Sequence, residues 1–453
     1  MHEWDEATDL LAQSVLGYAV ERLKLEKDTR WGARPADELA QALDGAISPT
    51  GIGGHRALVL FRDVLMHACR PMDDPNNLAY VPTAPTPAAN LIDVVVSASS
   101  IFAGHWEAAA GAIAAENQAL AWLAELAGFP DDAGGCFVSG GSAANLSALV
   151  AARHRARETA TGPPKRMAFA TCAESHASVH AAARVMDADV VVVAPDERGR
   201  LTGPALRAAL DEHRGAPVFA VVANAGTTNA GAVDELDAVA DVCVEGGLWM
   251  HVDAAYGGAG LCAPSLHREL RGFERADSFG VDPHKWLFAP YDCAALVYRD
   301  PRSAALAHAQ HGAYLDAVDR STWNPADFAF HLSRRARGLP LWFSLATYGT
   351  DAYTEAVETT LDVARGFAHH IAQTDGATLL LEPQMSVVMF AIDGWTPDRY
   401  EAWTARRAVE GVALIVPTTW RGATCYRVCV VNPRTTLEAL RGFLADMLEF
   451  ELS

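Results

Sequence analysis

Leu248-Trp249-Met250-His251-Val252-Asp253 is a short apolar run that closes on an acid. Residues 248–252 have the length and the unbroken apolar character of a strand buried on both faces, as in a parallel sheet covered by helices. An aspartate at the end of such a strand is costly to bury unless a cation or several hydrogen-bond donors meet it. Two readings stay open for Asp253: it caps the following turn, Ala254 to Gly258, or it faces a bound cation.

Similar runs lie on either side, at 166–171, 189–194, 217–223 and 293–298, each bounded by turn signals. Helical stretches fall between them near 175–186, 204–213 and 235–245. Alternation of strand and helix from Cys136 to Tyr298 predicts an α/β domain with a mostly parallel sheet. Upstream, 7–24 and 36–45 read as helices, and 107–127 as a long Ala-rich helix stopped by Gly128 and Pro130. Pro82, Pro85 and Pro87 forbid regular helix in the stretch between. Downstream, a helical stretch at 339–373 precedes apolar runs at 386–392, 412–416 and 425–431, with helices near 397–409 and 435–449. The expected organisation is an N-terminal helical segment (1–85), a large domain (86–345) and a small α+β C-terminal domain (346–453).

The 453 residues carry a formal net charge of -20, which argues against nucleic acid and against an anionic membrane surface. No apolar run approaches a membrane span and no secretory leader opens the chain, so soluble cytoplasm is the expectation. The eight cysteines are scattered without a Cys-x-x-Cys pair and read as thiols in a reducing compartment.

Four segments place polar groups where an open α/β sheet gathers its ligands, at the carboxyl ends of the strands. Val138-Ser139-Gly140-Gly141-Ser142 precedes a helix, so its amides and the Ser142 hydroxyl suit an anion, although a plain helix N-cap reads the same way. It lacks the Gly-Lys-Ser/Thr of a Walker loop and the second glycine of a nucleophile elbow. In Glu174-Ser175-His176-Ala177-Ser178-Val179-His180, His176 follows a strand and opens a helix. His176 and His180 also have the i, i+4 spacing of two metal ligands, without the glutamate of a zincin.

Asp253 is the third candidate, and a protonated pyridine nitrogen is one cation that suits it. The fourth is Asp277-Ser278-Phe279-Gly280-Val281-Asp282-Pro283-His284-Lys285-Trp286. Pro283 forces a turn, and Lys285 emerges beside Trp286, Leu287 and Phe288. An ammonium in apolar surroundings is expected to have a lowered pKa, which is what a Schiff-base lysine needs.

His251-Val252-Asp253-Ala254-Ala255-Tyr256-Gly257-Gly258, joined to Asp282-Pro283-His284-Lys285-Trp286, resembles the group II pyridoxal 5'-phosphate (PLP)-dependent amino-acid decarboxylases over nearly the whole chain. The resemblance implies fold type I and a homodimer with the active site at the subunit interface. It implies that Lys285 carries the cofactor, Asp253 pairs with its ring nitrogen, and His176 stacks on the ring opposite Ala255. Gly141 and Ser142 then match the phosphate loop, with Asp282 and His284 at the phosphate end and Thr228 beside the ring. Tyr80, Pro82 and Thr83 match a substrate-binding segment, with Thr83 at the substrate carboxylate. Residues 100–106, including Phe102, Gly104 and His105, match a pocket stretch built partly from the second subunit.

The implied activity is α-decarboxylation of an L-amino acid, neutral and aromatic or bulky aliphatic, to an amine and carbon dioxide, with no metal. Two departures stand out. The loop before Leu332-Ser333-Arg334-Arg335 lacks the tyrosine by which the family protonates the α-carbon, leaving His331 or Tyr314 as donors. Phe328 near that position points to a second outcome, oxidative decarboxylation–deamination to an aldehyde. Gly104 and His105 also differ from the residues typical of aromatic decarboxylases.

Overall fold

The computed structural model describes residues 2–24, 30–159, 162, 166–310 and 323–451. Its centre is a seven-stranded sheet in the order β1-β7-β6-β5-β4-β2-β3. The strands are β1 (Gly134–Val138), β2 (Ala168–Cys172), β3 (Asp189–Val193), β4 (Val218–Asn224), β5 (Trp249–Asp253), β6 (Ser278–Val281) and β7 (Ala294–Tyr298). β2 to β6 run parallel, and β7 is antiparallel to both of its neighbours, β6 and β1.

Side chains of a strand alternate between faces, and here the two faces feed two cores. Val221, Ala223, Met250 and Val252 join one cluster with Leu236, Val239 and Cys243 of a helix at Leu236–Gly246. Ala220, Val222 and Trp249 join the other, with Ala144, Ala148 and Ala152 of a helix at Gly141–Thr159 and Val179 and Ala183 of one at Ala177–Met186. Burial on both faces explains why these strands read as continuous apolar runs. The register aligns Asn224 with Asp253 and Asp253 with Gly280. The three strand ends are therefore level, and the loops that follow them open onto one edge.

A second sheet, antiparallel in the order β10-β11-β9-β8, is made of β8 (Ala377–Leu381), β9 (Val387–Ile392), β10 (Pro417–Trp420) and β11 (Ala423–Cys429). Helices at Thr350–Ala372, Pro397–Glu410 and Leu437–Glu449 pack on it through Phe367, Trp403 and Leu444, which meet Phe390 and Tyr426. The N-terminal arm joins this unit: the Leu78 amide donates to Leu414 O, the Cys429 amide donates to Leu78 O, and Leu78 is buried in the small core.

Some boundaries differ from the sequence expectation. The run 412–416 is not a sheet strand, because Leu414 pairs only with the arm at Asn77, and the edge strand is Pro417–Trp420. The helical stretch 339–373 is two helices, Leu339–Tyr348 and Thr350–Ala372, divided at Gly349, whose φ of 79° no helix accommodates. Seven thiols are buried, Cys69 is exposed, and all eight are free. No helix among the described residues is long and apolar enough to cross a membrane.

Candidate active site

A cavity of about 890 Å³ opens at the level edge of the large sheet, closed on its far side by the small sheet and the N-terminal arm. The ends of β1, β2, β4, β5 and β6 contribute to it. After β1 come Ser139, Gly140, Gly141 and Ser142, at the start of the helix Gly141–Thr159. Amides of a first helical turn have no intrahelical acceptor, so those of Gly141 and Ser142 are free to meet an anion. Gly141 must be a glycine: a Cβ there would lie 2.9 Å from the Ala255 Cβ and 3.3 Å from Asp282 Oδ2.

After β2, His176 is the N-cap of the helix Ala177–Met186. Its Nδ1 accepts from the Ser178 amide at 3.2 Å and lies 2.8 Å from the Ser178 hydroxyl. Nδ1 is thus occupied as an acceptor, and the ring proton belongs on Nε2. His180 lines a separate surface depression with Arg166 and Asp187, so the i, i+4 pair does not converge. Among the described residues no three His, Cys, Asp or Glu side chains are placed to hold a metal ion.

After β4, Thr228 faces the cavity from a turn that Gly226 enters at a φ of 95°. After β5, the Asp253 carboxylate accepts from Asn145 Nδ2 at 2.8 Å and from the Ala255 amide at 3.2 Å. Asp253 does cap its turn, as one sequence reading held, while still lining the cavity.

After β6, Lys285 projects into the cavity with its side chain one quarter exposed, and its Nζ lies 2.9 Å from Asp282 Oδ2. The lowered pKa expected for this lysine is not found. Burial does pull it down, but the Asp282 carboxylate and then Asp253 outweigh burial, and the net direction is upward. The apolar neighbours alone favour a lowered pKa, and the acid one turn earlier reverses it. His284 accepts the Cys293 amide on Nδ1 at 3.0 Å, and burial draws its pKa down against the pull of Asp282. It is therefore a neutral ring with its Nε2 proton on the side of Asp282, whose Oδ2 lies 3.5 Å away.

Gly141, Ser142, His176, Thr228, Asp253, Ala255, Asp282, His284 and Lys285 all line this one cavity, as does Tyr80. Pro82 and Thr83 do not. They are buried behind it, and the Thr83 hydroxyl donates to the Ala289 carbonyl at 3.0 Å, so it is not free for a carboxylate. Phe102, Gly104 and His105 also lie outside it. They pack on residues 323–336, where the Ala103 amide donates to Arg334 O, the Ala326 amide donates to Gly104 O, and the Trp106 amide donates to Asn324.

Phe328 is buried, stacked on Trp323 at 4.2 Å, and its carbonyl accepts from the Tyr298 hydroxyl. It is a core residue and does not face the cavity. His331 does not line the cavity either, and burial draws its pKa down to about 4. Tyr314 lies outside the described residues.

Sequence reasoning missed Asn145 and Arg427. Asn145 is fully buried one turn into the helix that follows Gly141, and a polar side chain in so apolar a face was the available signal. Arg427 sits within β11, donates to Tyr80 O and Asn229 O, and keeps an Nη2 with no oxygen or nitrogen acceptor, the Cys429 thiol being its other neighbour. An arginine inside an apolar strand was legible as unusual, but nothing in the sequence linked β11 to the cavity.

The site suits pyridoxal 5'-phosphate: an amine-bearing lysine, an acid at a strand end, and free amides at Gly141 and Ser142, where the backbone packs too closely on Ala255 to admit a Cβ at Gly141, all on one cavity. Fold and site together define a PLP-dependent enzyme of fold type I. The profile of the pyridoxal-dependent decarboxylase conserved domain matches residues 56–393, and the chain belongs to that family. It is 28% identical over 449 residues to an aromatic-L-amino-acid decarboxylase of Bacillus atrophaeus, covering 94% of this chain and 92% of the relative. It is 33% identical over 368 residues to an L-2,4-diaminobutyrate decarboxylase of Rhizobium meliloti, covering 78% and 73%. The crystal structure of mouse CSAD superposes with a TM-score of 0.88 at 27% identity over 98% of each chain. The chain is a PLP-dependent amino-acid decarboxylase, a carboxy-lyase.

Proposed function

We propose that the substrate is a neutral, bulky L-amino acid, aromatic or branched aliphatic, released as its amine. The observation that carries this is the asymmetry of the cavity. Lys285, Asp253 and Asp282 stand at the sheet end, whereas Met72, Val81, Val416, Pro417 and Arg427 stand at the other. The only acids lining the cavity from the described residues are Asp253 and Asp282, so the second ammonium of a diamino acid would lack a counter-charge at the far end. One arginine there matches one carboxylate, the one every amino acid carries, and leaves none for an acidic side chain.

The roles follow from the residues. When bound, pyridoxal 5'-phosphate supplies the sink for the electron pair left at Cα as carbon dioxide departs. Lys285 anchors it, and Asp282 holds the lysine proton at 2.9 Å. Asp253 would hold the proton of the ring nitrogen, while His176 and Ala255 would flank the ring. Gly141, Ser142, Thr228 and the His284 Nε2 proton would bind its polar edge. Arg427, the arginine at the far end of the cavity, would orient the substrate carboxylate, a task that Thr83, committed to Ala289, does not take.

This reading includes a homodimer. The helix Glu6–Lys24 buries no residue within the chain and exposes Leu10, Val15, Leu16 and Val20, and Phe102 is exposed outside its own cavity. Such a surface fits a second subunit that receives the 100–106 segment. Light scattering at micromolar concentration is expected to give twice the chain mass.

A screen of the common amino acids for carbon dioxide release, with the organic product identified, tests the assignment. The expected result is one neutral amino acid converted to its amine. Preference for a diamino or acidic substrate would overturn the substrate class. Aldehyde with stoichiometric peroxide and ammonia would establish the oxidative outcome instead.

A further inference from the structure

A single buried amide connects the parts of the site that have no covalent link. Asn145 Nδ2 donates to Asp253 Oδ2 at 2.8 Å and to the Ser178 hydroxyl at 3.1 Å, and that hydroxyl lies 2.8 Å from His176 Nδ1. On the other side, Asn145 Oδ1 lies 2.9 Å from His251 Nε2, His251 Nδ1 lies 2.9 Å from Ser278 Oγ, and Trp249 Nε1 donates to Ser278 Oγ at 2.8 Å. Asn145, His251 and Ser278 are almost wholly inaccessible to solvent, so each polar atom must be satisfied inside this chain.

The directions are forced. A carboxylate only accepts, so the amide must turn its NH2 to Asp253 and its oxygen to His251. The oxygen then requires a proton on His251 Nε2, which leaves Nδ1 bare to accept from the Ser278 hydroxyl. That hydroxyl oxygen is free to accept from Trp249, whose indole only donates. Every donor in the chain thus points toward Asp253. Burial holds His251 neutral, drawing its pKa down to about 4, as this arrangement needs.

We propose that Asn145 is a positioning residue, which, with His251 behind it, holds Asp253 as a one-way acceptor for the cofactor's ring nitrogen and fixes the Ser178–His176 side of the ring to the same anchor. This rests on the assignment of Asp253 and His176 to the cofactor. Asn145 borders the cavity but is almost wholly buried, with its amide nitrogen and oxygen both committed to protein partners. Its effect is through Asp253, whose charge and rotamer it sets.

Asn145→Asp separates this role from simple packing, because it preserves shape and the acceptor for His251 while deleting the donor to Asp253. Nitrogen-15 NMR of the histidine rings, in protein stripped of cofactor, reads the first part. The wild type is expected to show His251, identified by its loss in His251→Gln, as a neutral ring protonated on Nε2. In Asn145→Asp the two apposed carboxylates are expected to draw a second proton onto His251. Titration with PLP reads the second part, and the dissociation constant is expected to rise at least tenfold in Asn145→Asp.

A wild-type His251 protonated on Nδ1 would overturn the proposal without any variant. So would an Asn145→Asp protein with a neutral His251 and wild-type affinity for PLP. If the wild type itself formed no lysine-linked chromophore, the cofactor assignment would fail instead, a result distinct from both.

Discussion

Lys285 and Asp282 form an ion pair closed within one turn: Nζ lies 2.9 Å from Oδ2, and the Lys285 amide donates to the Asp282 carbonyl. The pair raises the lysine pKa against the effect of burial, so the resting amine is protonated and must shed that proton to attack a carbonyl. Asp282→Asn removes the counter-charge. Capture of PLP by the cofactor-free protein at neutral pH is expected to accelerate, by about tenfold for each unit that the lysine pKa falls. Stopped-flow absorbance reads this rate, and an equal or slower rate would contradict the role.

Gly141 has no room for a side chain against Ala255 and Asp282. Gly141→Ala is expected to fold, with an overpacking cost of about 1–3 kcal/mol concentrated at the anion cradle. Its affinity for PLP should fall by roughly tenfold or more, since 1.4 kcal/mol is tenfold in binding. Equilibrium titration measures it.

Glu116 and Arg334 form a bidentate pair, 2.7 Å on each arm and nearly inaccessible to solvent, and Glu116 also accepts the Gly338 amide. Arg334 donates in turn to the Ala103 carbonyl, so this pair pins the 100–106 segment to the chain. Glu116→Ala strands a buried guanidinium and is expected to cost roughly 3–5 kcal/mol. Urea unfolding of the cofactor-free protein tests this, and a loss below about 1 kcal/mol would show that the pair is dispensable.

His251 and His331 have folded-state pKa values drawn down to about 4 by burial, from 6.5. The unfolded chain therefore binds protons that the folded chain refuses. Their contribution to stability is complete above about pH 6.5 and is lost as pH falls toward 4. Melting of the cofactor-free protein is expected to fall across that window, less steeply than the two histidines alone would give, because burial raises the Asp234 carboxyl to about 7 and its protonation in the folded chain offsets part of the loss.

Much of this was legible because strands buried on both faces leave unbroken apolar runs. β2, β4, β5 and β7 each coincide with such a run, and β3, a partly exposed edge strand, shares the apolar composition without the two-sided burial. β1 begins with Gly134-Gly135 and β6 is four residues centred on Phe279-Gly280, so neither has the composition of a strand, and both were missed as strands. β8 is only half-buried and depends on β9 for its pairing.

The site was legible where its residues follow strands directly, as Asp253 and Lys285 do. It was not legible where the far wall comes from β11, about 140 residues beyond Lys285. Thr83 shows the converse: its hydroxyl is taken by Ala289, a contact across 206 positions that no local pattern encodes.

The central claim is that Lys285 carries the cofactor, and the sequence makes it unusually easy to test. The chain has four lysines, Lys24, Lys27, Lys165 and Lys285. Protein reconstituted with PLP, reduced with borohydride, digested and mapped by mass spectrometry is expected to carry the pyridoxyl adduct on Lys285 alone, and the Lys285→Ala protein is expected to carry none. An adduct on another lysine at comparable yield, or a chromophore that survives in Lys285→Ala, would contradict the account.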